Sequence, residues 1–198
     1  MASSPVRPGV MPAYLAAYVF LDWVSYANHL GPVNITPWNP PPGLSLVLVL
    51  LFGARAAPLL LIAALAADVI VRDVTLYPWA SLAADASIAG IYAAAGMALR
   101  RLAVDPALPR QRHLVAFLSV GVVAALAAAT VVVSIFLAGG AVAPGQWKAA
   151  VFRYWVGDAV GIAVTSPLLL LAMARRLPPN DGGLSLGQAW VALRTLEN

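Results

Sequence analysis

Asp22, Asp68, Asp85, Arg153 and Asp158 each interrupt a long apolar run. A charge at bilayer depth costs kilocalories, so such residues face a partner, a cavity or a proton path. Helical spacing sorts them. Tyr18, Asp22, Ser25, Tyr26 and His29 recur at three- and four-residue steps and share one face, as do Tyr154, Asp158, Gly161 and Thr165. Arg153 and Asp158 are five positions apart, about 140° around a helix, so they do not pair with each other. Arg153 is expected to meet a carboxylate on a neighbouring helix, Asp22 or Asp85 before the others. A pair that only fixes helix register competes with ligand contact as the explanation of Arg153 and Asp158. Asp68 and Arg72, four apart, are expected to pair locally. His29 and His113 fall near the ends of apolar runs and are expected to be hydrated. No metal site or cofactor is anticipated.

The second chemical feature is ITPWNPPPG, over residues 35–43, which leads without a charge into LSLVLVLLFG. Pro40, Pro41 and Pro42 remove three backbone donors and favour extended backbone. Trp38 and Asn39 are therefore expected on an ordered, non-helical element at a helix start, where irregular backbone borders a cavity. The candidate ligand-binding set is Asp22, Trp38, Asn39, Asp85, Arg153 and Asp158. Pro40, Pro41, Gly43, Gly157, Gly161 and Pro167 are expected to shape the backbone around it.

The elements that must position these residues are transmembrane helices. Of the 198 residues, 62% are hydrophobic and 10% charged, and the mean hydropathy is +0.85. That composition defines an integral membrane protein. Apolar segments lie at 11–30, 43–53, 55–71, 79–100, 113–138 and 148–174. The expectation is an all-α polytopic bundle of about six spans, with residues 1–10 a cytoplasmic tail, 11–176 the membrane domain and 177–198 a cytoplasmic linker with a short amphipathic helix. The segment 43–53 rises only about 16 Å against a core of roughly 30 Å, so it is a short or re-entrant helix. Arg100, Arg101, Arg110 and Arg112 fill one loop, and Arg175 and Arg176 follow the last run. Both regions are expected inside, which puts both termini in the cytoplasm and the candidate set toward the outer leaflet. Merging 43–53 with 55–71 into one crossing would instead give five spans and an outside N-terminus.

Small residues mark close helix approach: Gly157 and Gly161, Ala86, Gly90 and Ala94, and Gly121, Ala125 and Ala129. They suit a compact bundle and allow a homodimer. Zero cysteines exclude disulfides and thiol catalysis. The net charge of +4 comes from arginines beside apolar runs, so it reads as topology and not as nucleic-acid binding. Asp22 inside the first run argues against a cleavable signal peptide. A membrane enzyme has little support, with no phosphate-binding glycine loop and no nucleophile–base spacing. One functional reading of such a bundle is a substrate-binding membrane protein resembling the solute-capture subunits of vitamin transporters.

The stretch WNPPPGLSLVLVLLFGARAAPLLLIAALAADVIV, residues 38–71, resembles the N-terminal signature of the membrane-associated sensor domain family, type one. FRYWVGDAVGIAVTSPLLLLAMARR, residues 152–176, is similar to that family's closing span, through Arg153, Trp155, Gly157, Asp158, Gly161 and Pro167. The resemblance implies a multi-span input module in the bacterial inner membrane, reading a small ligand or a membrane partner. It further implies a cytoplasmic output, a histidine kinase or a cyclic-di-GMP enzyme, in cis or in trans. The chain departs from the family pattern in having fewer spans than the usual eight and no output motif, so no catalytic activity is expected of it.

Overall fold

The computed structural model describes residues 9–26, 38–72 and 78–174, and among them every regular element is helical. The helices are α1 (Val10–Tyr26), α2 (Pro41–Phe52), α3 (Ala57–Ala67), α4 (Pro78–Arg101), α5 (Gln111–Ala138) and α6 (Trp147–Ala174). A 3-10 turn, Gly53–Ala56, joins α2 to α3, and a π turn, Asp68–Arg72, extends α3. Four stretches among the described residues are long and apolar enough to cross a membrane: Pro41–Arg72, Pro78–Arg101, Gln111–Ala138 and Pro144–Met173. The protein is a multi-pass helical membrane protein. His29 and the linker over 177–198 lie outside the described residues.

The stretch Pro41–Arg72 has 32 residues and as a straight helix would run about 48 Å. It does not. Pro42 at its start and Asp68 and Arg72 at its end border the same cavity. Its middle lies elsewhere: Arg100, at the far end of α4, donates to the carbonyls of Leu50 (2.6 Å) and Leu51 (3.2 Å). The chain therefore doubles back between α2 and α3. Gly53 makes the reversal at φ +74°, a conformation open to glycine and strained for other residues. The short helix expected over 43–53 is thus α2.

The tri-proline is used differently from expectation. Only Trp38, Asn39 and Pro40 precede the helix, while Pro41 and Pro42 occupy its first positions. Their fixed φ and missing N–H suit a first helical turn, where those donors have no intrahelical acceptor. The prolines thus fix where α2 begins.

Packing places α4 against α2, α3 and α5, α6 against α5 and α2, and α1 against α3. Glycines allow the closest of these approaches. A Cβ at Gly96 would meet Val49 at 2.5 Å, and one at Gly121 would meet Ile162 at 2.8 Å. Gly121, Ala125 and Ala129 are buried as the small-residue pattern anticipates. Ala86, Gly90 and Ala94 are not, and they face out of the bundle. Gly157 and Gly161 are buried within the chain itself, so their pattern serves packing in cis.

Candidate functional site

The site forms where the start of α2 meets α6. Both Asn39 groups take part. Its backbone N–H donates to the carbonyl of Gly157 at 3.0 Å, and its side-chain Nδ2 donates to Asp158 Oδ1 at 2.8 Å. Its carbonyl lies so close to Gly161 that a Cβ there would overlap it. A Cβ on Gly43 would meet Ser166 Oγ at 2.9 Å and the Gly161 carbonyl at 3.2 Å, and Ser166 donates to the Gly43 carbonyl at 3.2 Å. Gly43, Gly157 and Gly161 thus let two backbones touch, as small residues do between membrane helices. Pro167 lies inside α6 next to Ser166.

Asp158 is 1% exposed. Its second oxygen accepts a short hydrogen bond from the Tyr92 hydroxyl on α4. The carboxylate therefore ties together α4, α6 and the start of α2. A buried carboxylate with a donor on each oxygen meets the requirement for retaining such a group in an apolar interior.

A second cluster adjoins it. Asp22, 2% exposed on α1, accepts from Arg72 through both oxygens, from Nη2 at 2.5 Å and from Nε at 3.2 Å. This is the two-pronged geometry of a strong guanidinium–carboxylate pair. Arg72 Nη1 also lies 3.8 Å from Asp68. Asp22, Asp68, Arg72, Asp85, Asn39 and Tyr154 border one small cavity. The cavity has room for about one water molecule.

The sequence expectations divide accordingly. Asp22, Asn39, Asp85 and Asp158 converge at one end of the bundle. Trp38 is half-buried beside them and is not part of the cavity wall. Arg153 does not join them. It is exposed on α6, and the guanidinium beside Asp22 is that of Arg72. The five-residue offset explains this, because a helix that turns Asp158 inward must turn Arg153 outward. The Asp68–Arg72 pairing is present but secondary to the bond with Asp22. Sequence reasoning missed the cavity roles of Asp68 and Arg72 and overlooked Tyr92. One signal for Tyr92 was available: it stands seven positions after Asp85 and so shares its helix face.

The other end of α4 carries Arg100 and Arg101, about 22 Å from Asp85 at the helical rise. Charge and polar cluster are thus separated along the bundle. The structure is thus a polytopic helical bundle with a buried, mostly acidic cluster at one end, an integral membrane domain in class. The family match makes that class specific: the MASE1 family model matches residues 9–196, nearly the whole chain, and the chain belongs to the MASE1 family of membrane sensory domains. One 30-residue stretch is 60% identical to part of the carbamoyltransferase HypF2 of Cupriavidus necator. It covers 15% of this chain and 4% of that protein, too little to carry a shared fold or activity. No solved structure matches the chain.

Proposed function

We propose that this chain is the sensory input domain of a bacterial signal-transduction system, seated in the inner membrane with both termini in the cytoplasm. Its α2–α3 hairpin supplies two of about six membrane segments. The input site is the polar cluster of Asp22, Asn39, Arg72, Asp85 and Asp158, at the outward end opposite the arginine-rich loop. A small ligand or a membrane partner acts there. The output is a histidine kinase or a cyclic-di-GMP enzyme, reached through residues 175–198.

One observation carries the reading: Asp158 and Asn39 join the start of α2 to α4 and α6 at the rim of a buried charged cavity. Any change in the charge or occupancy of that cavity acts on a seam between helices. Such a seam is what a switch needs, since packed interfaces shift between discrete arrangements.

The test is a hybrid in which the full chain is joined at Asn198 to a histidine-kinase core and reconstituted in nanodiscs. Autophosphorylation is compared for the wild type, Arg72→Gln and Asp158→Asn. The expected outcome is a changed basal activity in both variants at unchanged protein level. Equal activity in all three would remove the cluster from the signalling path.

A further inference from the structure

Among the described residues, two buried side-chain oxygens in this region have no hydrogen-bond partner: Asn39 Oδ1 and Asp85 Oδ2. Both residues border the same cavity, and Asp85 is 4% exposed. Both orphans are acceptors. A buried acceptor left unsatisfied is costly, so whatever completes this site must donate. The amide of Asn39 cannot be turned to help, because its Nδ2 already donates to Asp158 and reversal would set two acceptors against each other.

The charges point the same way. Among the described residues, three carboxyls, Asp22, Asp68 and Asp85, surround a single guanidinium. Arg72 is committed to Asp22 through two bonds and reaches Asp68 only at 3.8 Å. That leaves Asp85 facing Tyr18 and Asp22 from α1, Asp68 and Arg72 from the π turn, and Tyr154 from α6, with excess negative charge in a nearly dry space. A metal ion fits poorly beside Arg72, and two orphan oxygens fall short of the six or so that a hard cation takes. An organic ligand does not fit where about one water does.

We propose that the ligand of this cavity is a proton, carried on Asp85 Oδ2 toward Asn39. The step is a simple association: a proton from the aqueous phase forms an O–H bond on Asp85, which becomes neutral, and no other bond breaks. The new O–H donates to Asn39 Oδ1, directly or through one water, so both orphans are satisfied at once. Asn39 also holds the start of α2 to α6. Proton loss therefore removes a bond from that seam and adds a negative charge beside it. This rests on the reading of the cluster as the input site.

Infrared difference spectroscopy of the full chain in nanodiscs tests it, with protein in ordinary and heavy water stepped from acid to alkaline pH. The wild type should show a carboxylic-acid C=O stretch that disappears as pH rises. Asp85→Asn should remove that band, and Asn39→Leu should move it to higher frequency by taking away the acceptor. Should Asp85→Asn fail to fold, the Asn39→Leu shift carries the test. A wild type without any protonated-carboxyl band, meaning an ordered water only, would overturn the proposal. So would a band that survives Asp85→Asn or stays unmoved in Asn39→Leu. The sensory reading fails separately: a kinase hybrid equally active as wild type, Arg72→Gln and Asp158→Asn loses the sensor, while an Asp85 band that titrates keeps the proton.

Discussion

Removing Arg72 should be costlier than removing the carboxylate it binds. Asp22 is buried, and among the described residues both of its carboxyl oxygens are held by Arg72. Among the described residues, Arg72→Gln leaves that carboxylate without a cation and takes the guanidinium from Asp68 and Asp85 as well. Breaking a buried pair from one side costs about 3–5 kcal/mol. The Arg72 side chain is 30% exposed, so the lower end applies. A loss of about 3 kcal/mol is roughly a hundredfold in the unfolding constant. Asp22→Asn differs, because Arg72 keeps Asp68 as an alternative partner at 3.8 Å and the new amide oxygen still accepts. Its expected cost is about 1 kcal/mol, near that of one ordinary hydrogen bond. The double variant should then fall short of the summed losses by at least about 1 kcal/mol, the coupling expected of groups in direct contact. Unfolding in bicelles by steric trapping measures all four corners of the cycle. The reasoning is refuted if Asp22→Asn costs as much as Arg72→Gln, or if the coupling lies below about 0.5 kcal/mol.

Gly161→Ala should separate α2 from α6 and cost about 3 kcal/mol or more by overpacking against the Asn39 carbonyl. Gly90→Ala, where nothing lies within 4 Å, should be neutral or stabilising by up to about 1 kcal/mol; thermal melts of the pair check the contrast. Tyr92→Phe should cost about 1–3 kcal/mol by leaving one oxygen of buried Asp158 without its donor, read in the same melts. Arg153→Gln should stay within about 0.5 kcal/mol of wild type, as expected of an exposed side chain. In the loop after α4, Ala103 sits at φ 51°, so Ala103→Gly should raise stability by about 1 kcal/mol in a denaturant titration.

The one-dimensional pattern was enough for the class. Long apolar runs dictate membrane helices because an unpaired peptide group in hydrocarbon costs too much in any other open form. The short α2 was legible from run length. The inward faces of α1 and α6 were legible too, since Tyr18, Asp22 and Ser25, and Asp158, Gly161 and Thr165, repeat at helical steps and are buried. Asn39 could be singled out because prolines fix the backbone beside it.

Partner choice was decided only by the tertiary structure. Arg153 and Arg72 look alike in sequence, each near carboxylates within or at the end of an apolar run. The doubling back of α2 and α3 returns Arg72 to the level of Asp22, while the phase of α6 turns Arg153 away. Gly157 and Gly161 likewise read as a face for another helix, and the fold gives that face to the Asn39 backbone. Periodicity fixes which side of a helix is polar, because it is a local property of the backbone. Which charge meets which depends on how the helices are ordered around one another, and that follows from contacts between residues far apart in the chain.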